Sequence, residues 1–331
     1  MARESIIKTA DKVNFMSNKI KKEKIRKYFM GSKDREGVVP IVIKYILLIG
    51  IGFVYLYPLL YMLSTSLMSI DDLLDSSIKW IPSSLYLDNI LNAYKVMDFL
   101  KSLRDSVIIA GVPTLIQVCS CAFIGYGFAR FEFKGKKIMI GILIFSFILP
   151  AQVTMMPNYV LFTNRDLIGS LNAYNLPALL GQGIKAQIFI LIFYNFFKQV
   201  PQALIEAAHI DGAGYFKSFF RISIPSAAPA ILVVFLFSIV WYWNESYLTS
   251  LYIIGLGTGK ANNWTTLVVE LKNFTNIYEQ YNQGNQQQLG NINESIKMAG
   301  TMLSILPLLL MYGFLQKFFV ESIDKTGITG E

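Results

Sequence analysis

Six stretches of this chain run for about 20 residues or more with almost no charge, long enough for each to cross a lipid bilayer as a helix. They cover residues 41–63, 106–129, 138–162, 175–197, 228–254 and 298–319. A segment in hydrocarbon has no water to bond its amides and carbonyls, so it must satisfy them internally, and a helix does so within one segment. The expectation is an all-α membrane protein of six transmembrane helices. The chain is 53% hydrophobic with a mean hydropathy of +0.45, more apolar surface than a soluble domain hides. Pro58, Pro113, Pro150, Pro157 and Pro307 sit in or beside the spans. Membrane helices tolerate them because neighbours re-satisfy the freed carbonyls. Lys185 is the lone charge of the fourth stretch and is long enough to snorkel toward an interface.

Residues 1–40 form a basic leader ahead of the first span, which is too long and too far from the terminus to be a cleaved signal. The leader reads equally as an amphipathic surface helix over 6–29 or as a solvated basic tail. Six spans place both termini on one side. With that side cytoplasmic, the inner segments hold 21 of the 30 Lys and Arg residues, while the 22 acidic residues divide evenly. Positive charge is retained inside, so both termini are expected in the cytoplasm of a bacterial cell, and the net charge of +8 needs no nucleic acid partner. Three outer loops follow, at 64–102, 163–174 and 255–297. The first should carry a turn at Trp80-Ile81-Pro82 and an amphipathic helix over 88–101. The third is rich in Asn and Gln around 281–293 and reads as polar and flexible rather than packed. Cys119 and Cys121, two apart in an apolar run, read as small buried residues and not as a disulfide or zinc site.

The inner loop at 198–227 carries the most information. Pro201 suits a first helical position, and residues 202–210 are good helix formers. Asp211-Gly212 supplies a break, since glycine accepts backbone angles that other residues resist. A second short helix over 215–222 follows, and Pro225 and Pro229 lead into the fifth span. The reading is a helix–turn–helix on the cytoplasmic surface, with Ala207 and Ala208 small enough for another protein to approach.

Glu206, Ala207, Ala208, Asp211, Gly212, Ala213, Phe219, Ile222 and Pro225 together resemble the EAA loop of ATP-binding-cassette (ABC) importer permeases. Ile224 replaces the usual leucine, a volume-conserving change. Three further segments resemble the oligosaccharide-importing, maltose-permease-like branch of that family. They are Gly125-Tyr126-Gly127-Phe128-Ala129-Arg130-Phe131, Trp243-Asn244-Glu245 and Gln316-Lys317-Phe318-Phe319-Val320. The resemblance spans about residues 41–330 and leaves out the leader; residues 326–330 depart from the family's ending by lacking its lysine.

The resemblance implies a type I importer permease fold over 41–331 and a sugar or oligosaccharide cargo. It also implies a working assembly of this subunit, a second homologous permease, two ABC ATPase subunits and an extracellular solute-binding protein. The chain is not expected to be an enzyme. It has no G-x-x-x-x-G-K-[ST] loop: in the similar-looking run ending Gly259-Lys260, Ile254 stands where the first glycine belongs. ATP and magnesium would therefore sit on the partner ATPases, and this chain would hold no cofactor or metal. Glu206, Ala207, Ala208, Asp211 and Gly212 are the implied coupling residues, with Glu206 in a charge-assisted contact and Gly212 permitting the turn. Rigid-body motion of the ATPases would tilt the spans and alternate access.

Sugars stack C–H faces on aromatic rings and bond amides and carboxylates through their hydroxyls. Trp243, Asn244, Glu245 and Tyr247 are the candidate substrate-path residues, with Trp243 and Tyr247 four apart and so on one helix face. An ionisable group inside a span is a functional candidate, though Trp and Tyr also form interfacial belts. His209, the only histidine, lies in the 198–227 loop and is not expected to relay protons. A permease for a noncarbohydrate solute is the alternative. An ion-coupled carrier fits less well, because only Glu245 is a mid-span charge of the kind such proteins use.

Overall fold

The computed structural model describes residues 29–32, 35–255, 263–284 and 292–327. The chain divides into two compact units, Met1–Ser64 and Thr65–Glu331. The expectations for 1–28, for the Asn/Gln-rich run at 285–291 and for the last residues lie outside the described residues.

In the first unit, β1 (Gly31–Ser32) pairs antiparallel with β2 (Arg35–Glu36), and α1 (Val38–Ser66) begins two residues later. Lys44 Nζ lies 3.0 Å from Glu36 Oε2, an exposed ion pair. At 29 residues α1 extends about 44 Å, enough to cross a bilayer with tilt. Its apolar side chains are exposed almost throughout, as expected of a helix whose solvent is not water.

Among its described residues the second unit contains helices, turns and irregular stretches and no strand. In chain order it contains α2 (Ile70–Leu74), α3 (Asp88–Val96), α4 (Phe99–Arg130), α5 (Lys136–Ile148), α6 (Ala151–Asn164), α7 (Asn172–Leu179) and α8 (Ala186–Gln199). It continues with α9 (Gln202–Ile210), α10 (Tyr215–Ser218), α11 (Ile224–Ser226), α12 (Ala228–Asn244), α13 (Leu267–Lys272), α14 (Phe274–Gly284) and α15 (Glu294–Gly327). Two π-helical turns, Phe219–Ser223 and Thr249–Ile253, interrupt this series. Helix α4 is the mast: α7, α8 and α12 all pack along it. Its closest approach to α8 is set by Gly125, where a Cβ would stand 2.6 Å from Phe193 Cβ.

Helices α1, α4 and α15 are each long and apolar enough to cross a membrane, and three bent pairs could bring the total to six. The protein is therefore an all-α, multi-span membrane protein. The expected third span is two helices, α5 and α6, meeting at 100° across Leu149-Pro150. Pro150 has no N–H to donate, and it holds the preceding residue in an extended conformation; Leu149 has φ −62 and ψ 129. The expected fourth span is broken between α7 and α8, and the expected fifth ends as a regular helix at Asn244.

The outer loops differ from expectation. The helix expected over 88–101 stops at Val96, and α4 starts at Phe99, because Asp98 takes a left-handed conformation (φ 41) between them. The stretch after 255 packs where it is described: Leu267, Val269, Phe274 and Tyr278 are buried among α3, α4 and α15. Its amphipathic helices are short, so neither resembles a span and the polar segment beside them dominates the sequence. Cys121 is buried as expected, whereas Cys119, two positions along the helix, is exposed.

Candidate functional site

Residues 198–227 fold as a helix–turn–helix. Pro201 sits one position before the first turn of α9, with φ −56, and Gln202 opens the helix. Ile205 faces inward and is buried, while Leu204, Glu206, Ala207 and Ile210 are exposed and Ala208 is half-buried. The helix stops through three short backbone bonds. Asp211 N–H donates to Ala207 O at 3.0 Å, Gly212 N–H to His209 O at 3.0 Å, and Ala213 N–H to Ala208 O at 2.8 Å. Gly212 adopts φ +76, and a Cβ there would meet nothing within 4 Å. The turn therefore needs glycine for its backbone angle and not for space. His209 braces the turn, with Nδ1 2.7 Å from Ala213 O and its ring 4.8 Å from the Tyr215 ring. The five expected coupling residues, Glu206, Ala207, Ala208, Asp211 and Gly212, thus lie on one helix and its C-terminal turn.

The elbow is fastened to the mast. Arg130, the last residue of α4, donates from Nη2 to Val200 O (2.7 Å) and from Nη1 to Gln202 Oε1 (3.0 Å). The second half of the elbow runs through α10, a π turn and α11, and meets α12 at a 75° bend. Phe219 in that π turn is buried, with its ring 4.7 Å from Tyr126 and 6.2 Å from Phe197. Phe216 stacks on Phe123 (6.2 Å), and Tyr215 packs on Phe131 (5.4 Å). Aromatic pairs of this kind each contribute about 0.5–1.5 kcal/mol beyond their buried area. The elbow is thus attached to the ends of α4 and α8 and runs directly into α12.

The fifth-span candidates are less united. Trp243 is buried, Asn244 is the exposed last residue of α12, and Glu245 has left the helix (φ −78, ψ 94). Glu245 Oε1 accepts from the N–H groups of Tyr247 and Leu248, both at 3.0 Å, so this carboxylate starts the following helical turn. Because the chain breaks between them, Trp243 and Tyr247 do not share a helix face. Trp243 packs in the core, whereas Tyr247 is exposed, with Lys272 Nζ 5.5 Å from its ring.

A second break lies opposite, at residues 180–185, and a buried network serves it. Gln117, fully buried on α4, donates from Nε2 to Ile184 O (2.9 Å) and accepts from Tyr242 OH (2.7 Å). Ile184 N–H donates to the same Tyr242 hydroxyl at 3.3 Å. The amide and carbonyl released by the break are thus taken up by two side chains from neighbouring helices, as a low-dielectric interior requires. Gly183 is squeezed into this network, where a Cβ would lie 2.0 Å from Gln117 Oε1 and 2.5 Å from Tyr242 OH. Sequence reasoning passed over Gln117. A glutamine inside an otherwise apolar span was the available signal.

The second unit is a bundle of long, bent and broken helices with an exposed helical elbow tied to α4. Residues 122–325 match the family described as "Binding-protein-dependent transport system inner membrane component", and the chain belongs to that family. It is accordingly a transport component and not an enzyme. Among its relatives is Protein LplC of Bacillus subtilis (strain 168), 28% identical over 284 residues, covering 85% of this chain and 92% of the relative. The arabinooligosaccharides transport system permease protein AraQ of Halalkalibacterium halodurans is 25% identical over 295 residues, covering 87% of this chain and 98% of the relative. The fold also resembles a chain in the crystal structure of a bacterial ABC transporter involved in the import of the acidic polysaccharide alginate. The TM-score is 0.68 at 20% identity, covering 84% of this chain and 95% of the other.

Proposed function

We propose that this chain is one of two permease subunits of an ABC importer that carries a sugar or oligosaccharide across the bacterial cytoplasmic membrane. The spans number six, built on α1, α4, the α5–α6 pair, α8, α12 and α15, and both termini lie in the cytoplasm. The residue 198–227 elbow is the EAA coupling loop. In this reading α9 docks in a groove of one of two ATPase subunits, which bind ATP and magnesium. The second permease completes the path, and the outer loops receive an extracellular solute-binding protein. Residues 1–40 are a basic cytoplasmic leader outside this machinery.

The observation that carries the reading is the elbow. Its helix presents Glu206 and Ala207 outward beside apolar Leu204 and Ile210, a surface for a protein partner, while Arg130 and Phe219 bind its base to the mast. The carbohydrate assignment is supported by the oligosaccharide-branch motifs around Gly125 and Trp243 and by the name of the AraQ relative. A noncarbohydrate cargo is the second reading, favoured by a 26% identical relative named as an osmoprotective compounds uptake permease.

The test is the assembled complex in proteoliposomes carrying Glu206→Lys. Charge reversal on the exposed face should reduce ATP-driven uptake by about tenfold or more, with membrane insertion unchanged. Undiminished uptake would remove Glu206 from the coupling role.

A further inference from the structure

The break at 180–185 faces the last turn of α12, just before that helix ends at Asn244. Ile184 in the break bonds Tyr242 from α12, and Lys185 Nζ lies over the Trp241 ring, 5.0 Å from its centroid. Lys185 is the residue before α8, and it holds a left-handed backbone conformation (φ 57) that an L side chain adopts at a cost of about 1 kcal/mol. Counting about 1.5 Å per residue from the elbow, Lys185 stands about 21 Å above Gln199 and Trp241 about 20 Å above Ala228. Measured that way, both positions fall inside a roughly 30 Å hydrocarbon core, in its outer half.

At that depth the breaks expose polar groups. Gln182, Lys185 and Asn244 are all on the surface of the subunit, and Trp241 is half-exposed. Trp241 and Asn244 are three apart on α12 and so share one face. Lipid does not tolerate such a surface: unwound backbone at membrane depth occurs only where protein covers it or water fills a cavity, and a lysine held in lipid is costly. This face therefore meets a protein neighbour or water and not lipid, as the wall of a path shared with a second subunit would.

The geometry points to a substrate site here for a sugar that carries a carboxylate, read by Trp241, Lys185 and Asn244; this rests on the carbohydrate reading above. The indole is the stacking surface, and Asn244 offers an amide to hydroxyls. The charge of the cargo follows from the lysine. Its ammonium occupies the ring face that a sugar would use, in a contact worth about 0.5–1 kcal/mol at an exposed site. A neutral ring displaces the ammonium and gives it nothing in return. A uronate displaces it and then pairs with it in a charge-assisted hydrogen bond. Glu245 does not fill that role, because its carboxylate is engaged by the Tyr247 and Leu248 amides.

The experiment measures uptake of two α-1,4-linked trisaccharides differing only at C6, trigalacturonate and galactotriose. The full complex with its binding protein is reconstituted in proteoliposomes. Trigalacturonate should be the preferred cargo, and Lys185→Gln should lower its uptake at subsaturating concentration by about tenfold. Lys185→Arg, which keeps the charge, should recover most of that loss, and Lys134→Gln, an exposed lysine away from the breaks, should have no effect. Preferred uptake of galactotriose, or trigalacturonate uptake indifferent to Lys185→Gln, overturns the acidic-sugar site and leaves the carbohydrate reading in place. Uptake of neither trisaccharide overturns both.

Discussion

The elbow and the break at 180–185 both interrupt helices, and they solve the problem of the freed backbone groups in opposite ways. At the elbow the chain satisfies itself. Asp211, Gly212 and Ala213 fold back onto the carbonyls of α9, and a glycine in a left-handed conformation makes the turn. Its outward face stays open, and only its base is fastened, through Arg130 and Phe219. At the 180–185 break the amide and carbonyl of Ile184 are satisfied by neighbouring helices. Gln117 and Tyr242 cross from two other helices to serve Ile184, with Gly183 admitting no side chain between them. A local turn can travel as a body with a docked partner. A cross-helix network fixes three helices relative to one another. In the proposed reading the first interruption is a movable joint and the second a fixed node.

That contrast is open to direct attack. Gly183→Ala should have the largest effect, because its Cβ collides with both Gln117 and Tyr242. We expect a loss of about 3 kcal/mol or more, read as a lower detergent-extracted melting temperature or failure to accumulate. A melting temperature equal to wild type would show that the node is not rigid. Arg130→Ala comes next. It removes two bonds from a charged donor and should cost about 1.5–3 kcal/mol. In this variant the elbow should be cut by protease before the remainder of the fold. Equal protease protection of both regions would mean that Arg130 is not the fastening.

Gly212 sharpens the comparison, because the space around it is empty. Gly212→Val forces a β-branched residue into φ +76, at about 1–2 kcal/mol. The elbow should distort while the node survives: transport-coupled ATP hydrolysis should fall steeply with little change in melting temperature. Gly212→Asn, which tolerates the left-handed region, should retain most coupling. Equal loss in both variants would place the requirement at the partner's surface and not in the turn.

What the sequence made legible follows from where each interaction is recorded. The elbow is written locally. Pro201, the helix formers of 202–210 and Asp211-Gly212 are contiguous, and the structure places α9 at Gln202–Ile210. The long uniform helices α1, α4 and α15 were legible for the same reason. The breaks at 180–185 and 245–246 were not. Gly181-Gln182-Gly183 and Asn244-Glu245-Ser246 are local interruptions that the reading of continuous spans passed over, and the side chain that serves the first is distant in the chain: Gln117 lies 67 residues from Ile184. Reading Trp243 and Tyr247 as one face assumed a helix that Glu245 ends. The two amides it accepts could not be inferred from its place in an apolar stretch.

The central claim, that the 198–227 elbow is the inner-face joint to an ATPase, is tested most directly by accessibility. With Cys119→Ser removing the exposed native thiol, Ala207→Cys places a single reactive group on the open face of α9. A membrane-impermeant maleimide should label it in inside-out vesicles stripped of peripheral subunits. Labelling should fail in intact cells and weaken when the ATPase subunits are restored. Labelling in intact cells, or labelling indifferent to the ATPase, would contradict the account.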